Sequence, residues 1–228
     1  MNEKLWDNDQ QLLELVRKEL FSAVIGDIMD NLGLRNQFLP PQIQPLRSDM
    51  VVAGRAMPVL EADAHEPQAS PFSDKPFGLM LEALDDLKPH EVYICTGASP
   101  DYALWGELMS TRALKLGAVG AVVDGYSRDT NGILNLNFPT FSYGRYAQDQ
   151  APRGKVVAFR TEIMLGDVSV KPGDLIFGDL DGVCVVPQDR ESEIIAGALE
   201  KARGEQQVKL AIESGMSACQ AFEQFGIM

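Results

Sequence analysis

Between Gly117 and Gly125 the chain reads GAVGAVVDG, apolar at almost every position. A strand with one wet face would carry a polar residue at every second place. Near-continuous apolarity instead predicts a strand buried on both faces, as in a parallel sheet covered by helices. The preceding stretch DYALWGELMSTRALKLG predicts a helix that stops at Gly117, a residue suited to the left-handed position after a last turn. EVYICTG before it has strand composition. Strand, helix and buried strand in succession predict an α/β protein built in layers.

The rest of the chain fits that class. Leu12, Leu13, Val16 and Leu20 recur at helical spacing, and SAVIGDIMDNLG predicts a second helix with Ser22 as its cap and Gly33 as its stop. MVVAGRAMPVLEA reads as a strand, and the polar, turn-rich DAHEPQASPFSDKP as a surface excursion. Phe77, Met80, Leu81, Leu84 and Leu87 predict a third helix ending before Pro89. Short strands separated by Gly, Pro and Asp turns follow, and the chain returns to helix from about residue 189. No composition break, repeat or low-complexity segment divides the 228 residues, so a single domain is expected.

Composition narrows the function. With 33 acidic against 20 basic residues, the formal charge of −13 opposes attraction to a phosphate backbone or an anionic membrane surface. Neither nucleic acid nor membrane is expected as a partner. The N-terminus is charged and amphipathic rather than signal-like, and no run approaches eighteen uninterrupted apolar residues. Cys95, Cys184 and Cys219 form no CxxC pair, and the first two sit in apolar runs. A cytoplasmic location is therefore expected. The chain has no GxGxxG, Walker A, HExxH or GxSxG sequence, and only two histidines, His65 and His90, both read as turn residues.

Chemistry concentrates between Cys95 and Asp129. Taken alone, DGYSRD (residues 124–129) is an exposed turn in which Gly125 takes a positive φ. Upstream, Gly106, Glu107, Leu108 and Met109 fall at the start of a helix, where free amides and the helix dipole can hold an anion. Arg128 and Asp129 emerge at the carboxyl end of the buried strand, where ligands collect in parallel α/β units. An arginine fork matches a substrate carboxylate, and carboxylates with water suit a hard divalent ion. Such an ion, chelated by a 2-oxo acid, could stabilise the enolate formed when a bond at C3 breaks. Lys115, in the helix after Glu107, is read as solvated rather than as a Schiff-base lysine.

The stretch GELMSTRALKLGAVGAVVDGYSRD strongly resembles the RraA-like family, which includes class II 4-hydroxy-4-methyl-2-oxoglutarate/4-carboxy-4-hydroxy-2-oxoadipate aldolases, oxaloacetate decarboxylases and the inhibitor of ribonuclease E. SAVIGDIMDNLG resembles its N-terminal helix, VVAGRAMPV its first core strand and PGDLIFGDLDGVCVVP its C-terminal strand pair. The resemblance implies a layered αββα sandwich similar to the swivelling β/β/α domain. It also implies ring-shaped trimers, sometimes stacked as hexamers, with sites between subunits. In the aldolases an acidic residue, twenty intervening positions and then Arg-Asp form the signature; Glu107, Arg128 and Asp129 have that spacing.

By that resemblance Arg128 would bind the pyruvyl carboxylate and Asp129 would coordinate magnesium or manganese. Glu107 would hold a water on the metal, and the amides from Gly106 through Leu108 to Met109 would hold substrate oxygens. Glu107 stands where characterised aldolases carry Asp, and Gly132 stands where many relatives carry another acid. The implied activity is metal-dependent cleavage of a C–C bond in a small anionic 2-oxo acid, by retro-aldol reaction of a 4-hydroxy-2-oxo diacid or by decarboxylation of oxaloacetate. A non-catalytic regulator of the ribonuclease E inhibitor type and a metal-dependent hydroxy-acid dehydratase are the alternatives. The C-terminal helices, with Ile194, Ile195, Leu199, Val208, Leu210, Ile212, Phe222 and Phe225, are expected to contact a neighbouring subunit. Glu205, ahead of Glu200 and Glu213, is the candidate to enter the neighbour's site.

Overall fold

The strand read from Met50 onward becomes a twelve-residue strand, Val52–Asp63, that runs through the middle of the molecule. In the computed structural model residues 5–64 and 75–227 are described; His65 and most of the polar excursion lie outside them. In chain order the elements are α1 (Asp9–Glu19), α2 (Ser22–Asn31), β1 (Gln44–Pro45), β2 (Val52–Asp63), α3 (Met80–Asp85), β3 (Glu91–Thr96), β4 (Ala103–Trp105), α4 (Glu107–Leu116), β5 (Gly120–Val123), β6 (Tyr126–Ser127), α5 (Thr130–Asn135), β7 (Thr140–Ser142), β8 (Gly154–Phe159), β9 (Ile163–Leu165), β10 (Val168–Val170), β11 (Leu175–Asp179), β12 (Gly182–Val186), α6 (Glu191–Glu213) and α7 (Ala218–Phe225).

The main sheet runs β1-β7-β5-β3-β2-β11-β12, with β8 also paired to β2. β2, β3, β5 and β7 are parallel neighbours. β11 and β8 run antiparallel to β2 and share its other edge, β11 along its first half and β8 along its second. Beyond β12, Leu39 donates its amide to the Val183 carbonyl at 2.9 Å and Val185 donates to Gln37 at 2.9 Å. A few residues on, β1 pairs with β7 at the opposite edge. One connection thus touches both edges of the order, and the sheet nearly closes.

Period-two alternation then sorts side chains inside and outside the curl. Val52, Ala56, Val92, Ile94, Val122, Ile176, Val183 and Val185 face inward, where the β9–β10 hairpin packs Ile163, Leu165, Val168 and Val170 against them. Outside, Ala53, Leu175, Phe177, Cys184 and Val186 are covered by α1, α2 and α6. Met57, Val59, Tyr93, Cys95, Ala121 and Val123 are covered by α3, α4 and α5. Helix, sheet, sheet, helix is the layered α/β architecture the sequence predicts. β5 is buried at all four positions, as its apolarity requires.

Three local readings are corrected. Ser22 is not a helix cap but the first helical residue; the preceding Phe21 has no capping side chain. The start of α2 is capped from across the chain by Asp179, at the end of β11, which accepts from the Ser22 amide at 2.8 Å and from its hydroxyl at 2.7 Å. The helix read from Asp101 begins only at Glu107, because Ala103–Trp105 is buried as a strand paired with β6. Gly125 does not take a positive φ; in DGYSRD that conformation belongs to Asp129. Gly117 does adopt the left-handed turn expected of it, at φ 84°.

Asp179→Ala should unfold at lower urea than the wild type by about 1 to 3 kcal/mol, because it strips an anionic acceptor from a helix N-terminus and leaves the buried Ser22 hydroxyl unpaired. Equal midpoints with equal slopes would show that α2 does not depend on this cap.

Candidate active site

β4 and β6 lie side by side and parallel, so both carboxyl ends reach the same place, and each runs directly into a helix. Trp105 leads through Gly106 into α4. Ser127 leads through Arg128 and Asp129 into α5, and the Arg128 amide donates to the Trp105 carbonyl at 2.9 Å. Two helix starts therefore meet at one point. Gly106 is the extended residue ahead of α4 and offers no capping side chain. The first-turn amides of Glu107, Leu108 and Met109 thus have no acceptor within the helix and are available to an anion.

Gly106 also makes room. A β-carbon there would lie 2.9 Å from Asp129 Oδ2 and 3.5 Å from Arg128 Cγ. Only a bare backbone lets both side chains stand over the start of α4. Asp129 itself takes the left-handed conformation, φ 55°, ψ 36°, and makes no capping hydrogen bond with its side chain. Such a conformation in a non-glycine residue costs on the order of 1 kcal/mol and persists where its surroundings impose it.

The other acid of DGYSRD has a different task. The Asp124 carboxylate accepts from Thr96 Oγ1 at 2.5 Å and from Tyr143 Oη at 2.6 Å, fastening the turn to β3 and to the end of β7. Trp105 is fully buried between Tyr93 and Phe138, with ring centroids at 4.9 and 6.0 Å, and donates from Nε1 to Ser110 Oγ at 2.7 Å. The polar residues above it thus rest on a rigid floor. Arg128 reaches Asp149 Oδ1 with Nη1 at 3.0 Å, and its Nε lies 3.6 Å from Asp129 Oδ2. Its side chain is 37% exposed, so these pairs orient the fork while leaving it accessible.

Glu107 folds against α5. A β-carbon on Gly132 would fall 2.1 Å from Glu107 Cδ, so the Glu107 side chain occupies the space that any side chain at 132 would need. The two departures from the aldolase pattern are thereby coupled: the longer acid fits because the neighbouring position is glycine. Among the described residues no three His, Cys, Asp or Glu side chains form a ready-made cation cage. Magnesium is commonly held by one or two carboxylates plus water and substrate oxygens. The half-exposed Asp129 carboxylate suits a hard ion of that kind, with water and substrate oxygens completing the set, and does not suit a four-ligand zinc site.

A pocket of about 240 Å3 opens between Arg128, Asp129, Asp149 and Gly106 on one side and α3 and the first turn of α4 on the other. Gln150, also in its lining, donates from Nε2 to Glu61 Oε2 at 2.7 Å. Glu61 is 2% exposed; its Oε1 and the buried Tyr93 hydroxyl have no hydrogen-bond partner among the described residues. Burial pushes the Glu61 carboxyl up to about 8, only partly opposed by Gln150.

The structure brings Gly106, Leu108, Met109, Arg128 and Asp129 into one pocket lining, whereas the side chain of Glu107, the first residue of α4, turns toward Gly132 on α5. Glu205 does not join them within one chain: it lies on α6, on the opposite outer layer, 3.8 Å from Lys201 Nζ. Lys115 is exposed in the last turn of α4, and His90 is a turn residue at φ 68°. Asp149, Gln150 and Glu61 were not singled out in the sequence. Asp149 and Gln150 sit in an irregular loop with no motif. Glu61 did leave a signal, because it continues the alternation of Met57 and Val59 and so places an acid in a core-facing register.

A family model described as RraA-like: Aldolase/RraA matches residues 22–185, and the chain belongs to that family. A Halalkalibacterium halodurans protein named "Putative 4-hydroxy-4-methyl-2-oxoglutarate aldolase" is 30% identical over 202 residues, covering 88% of this chain and 89% of its own. Protein DlpA of Legionella pneumophila is 29% identical over 205 residues, 90% of this chain; the chain spans about a third (32%) of that protein's length. The crystal structure of an uncharacterized Pseudomonas syringae protein superposes with a TM-score of 0.83 at 26% identity, covering 99% of both chains. No helix among the described residues is long and apolar enough to cross a membrane.

Glu61 also makes stability depend on pH. The folded chain keeps this proton up to about pH 8, whereas the unfolded chain releases it near the ordinary value of 4.5. Its contribution is therefore fully present below pH 4.5 and is lost as pH rises to 8, by up to a few kcal/mol. Glu61→Gln, which keeps an acceptor for Gln150, should be more stable than the wild type at pH 8.5 and nearly equal to it at pH 4.5. Parallel stability curves for the two proteins would place Glu61 in a wetter site.

Proposed function

We propose that this protein is a divalent-metal-dependent lyase that cleaves a C–C bond in a 2-oxo acid and releases pyruvate, by retro-aldol reaction of a 4-hydroxy-2-oxo acid or by decarboxylation of oxaloacetate. The observation that carries the reading is the meeting of Arg128 and Asp129 with the side-chain-free start of α4 at Gly106. Arg128, held by Asp149, presents its fork to the substrate carboxylate. The α4 amides donate to oxygens of the same group, so the substrate is fixed at its 2-oxo end. Magnesium or manganese at Asp129 would offset the negative charge that grows on the 2-oxo oxygen as the bond breaks.

Glu107, whose carboxyl lies beside Gly132, would take the proton of a C4 hydroxyl through a water. The electron pair of the C3–C4 bond then stays with the pyruvyl fragment, which takes a proton at C3 and leaves as pyruvate. Oxaloacetate reaches the same fragment by losing carbon dioxide, so one site serves both routes.

Pyruvate release from oxaloacetate and from 4-hydroxy-2-oxo acids should require magnesium or manganese. Asp129→Ala should lower kcat/KM by about 100-fold or more while the chain stays folded, with only the small loss of stability that alanine incurs at a left-handed position, as expected for loss of a group that stabilises developing charge. Arg128→Lys should raise the inhibition constant of pyruvate, because an ammonium cannot reproduce the fork. A wild type indifferent to chelator, or an active Asp129→Ala, would overturn the metal assignment.

The site is open to solvent, and exposed apolar residues on the C-terminal helices, Leu210, Ile212 and Phe222, leave a surface to be covered. A trimer or a dimer of trimers in which Glu205 enters the neighbour's site accounts for both. Subunits carrying Asp129→Ala mixed with subunits carrying Glu205→Ala should then regain part of the wild-type activity. No recovery in mixed particles would remove Glu205 from the site.

A further inference from the structure

We infer that the half of the substrate distal to the 2-oxo acid end is apolar and uncharged, so that the preferred substrate is a monocarboxylate; this rests on the lyase reading above. The pocket that starts at Arg128 and Asp129 continues along a wall made by Phe77, Met80, Leu81 and Leu84 and by Leu108 and Met109 in the first turn of α4. Leu108 is 82% exposed and Leu81 56% exposed, an unusual way to leave two leucines beside an ionic site. A ligand reaching from the α4 amides along this wall covers them.

Charge points the same way. Among the described residues Arg128 is the one cation in the pocket lining, and Asp149 and Asp129 already flank it. A second carboxylate at the far end would meet leucine and methionine side chains in place of a cation, in a protein whose formal charge is −13. The opposite side of Arg128 and Asp129 does carry a cation, Arg145, next to Thr130 and Tyr146. That opening lacks the α4 amides and the apolar wall, so it is the place a dicarboxylate would use if the inference failed.

The test is calorimetric binding, with magnesium present, of pyruvate, 2-oxobutanoate, 2-oxopentanoate and 2-oxohexanoate against oxaloacetate and 2-oxoglutarate. Affinity should rise about fourfold for each methylene buried against the apolar wall. The dicarboxylates should bind at least tenfold more weakly than the monoacid of equal length, and kcat/KM for matched 4-hydroxy-2-oxo acids should follow the same order. Leu81→Arg, at a half-exposed position, should reverse the order in favour of the dicarboxylates.

A dicarboxylate preference that disappears in Arg145→Ala would overturn the inference and leave the lyase reading intact. Pyruvate release from none of the acids would overturn the lyase reading, and the binding series would still decide the pocket. A Leu81→Arg variant that changes particle mass in solution but not ligand order would assign the wall to contact with a second copy. An affinity indifferent to chain length would also overturn the inference.

Discussion

One strand lies in all three apolar clusters. β2 sends Ala53 outward beneath α1, α2 and α6, Val52 and Ala56 into the curl of the sheet, and Met57 and Val59 outward beneath α3, α4 and α5. It also pairs along both edges, with β3 on one side and with β11 and then β8 on the other. The change of neighbour from β11 to β8 follows from strand length, since neither partner is long enough to accompany β2 from end to end. Moving β2 by one residue would exchange its inner and outer side chains everywhere at once, which is why its register is fixed so firmly.

The site lies where this frame leaves polar groups beside apolar ones. Asp129 holds a left-handed backbone, and the buried Glu61 keeps an oxygen that is unpaired among the described residues; both features cost stability. The surrounding structure can offset that cost because Trp105, Tyr93 and Phe138 form a close-packed floor and because the turn through Asp124 is fastened by two hydroxyls. Preorganisation here means that Arg128 and Asp129 are placed by backbone bonds to β4 and by the start of α5 rather than by flexible contacts of their own.

The legible parts of the sequence were those with a period or a fixed spacing. The burial of β5, the stop at Gly117 and the convergence of the α4 start with Arg128 and Asp129 all follow from patterns confined to some thirty residues. The strand Ala103–Trp105 was not legible, because three apolar residues before a helix continue its pattern and only pairing with Tyr126 and Ser127 makes them extended. The cap on α2 was hidden for a related reason: a serine at a helix start is the usual local solution, and the actual one, Asp179, comes from 157 residues away. Asp149 reaches Arg128 from an irregular loop, and no periodicity marks such a residue.

Sequence charge and site charge answer different questions. The excess of acid repels any small anion at long range, an effect that salt weakens over about 10 Å. Inside the pocket the balance is set by one guanidinium and a set of backbone amides, which act at contact distance. The amides cannot be neutralised by a neighbouring acid, whereas Arg128 is already shared with Asp149. On the proposed reading a substrate carboxylate would compete with Asp149 for the fork, and the side-chain-free start of α4 would tip that competition by offering it donors that a carboxylate of the chain does not occupy. Gly106 thus has two effects that cannot be separated by any substitution there: a side chain would press on Asp129 and, at the same stroke, crowd the approach to those amides.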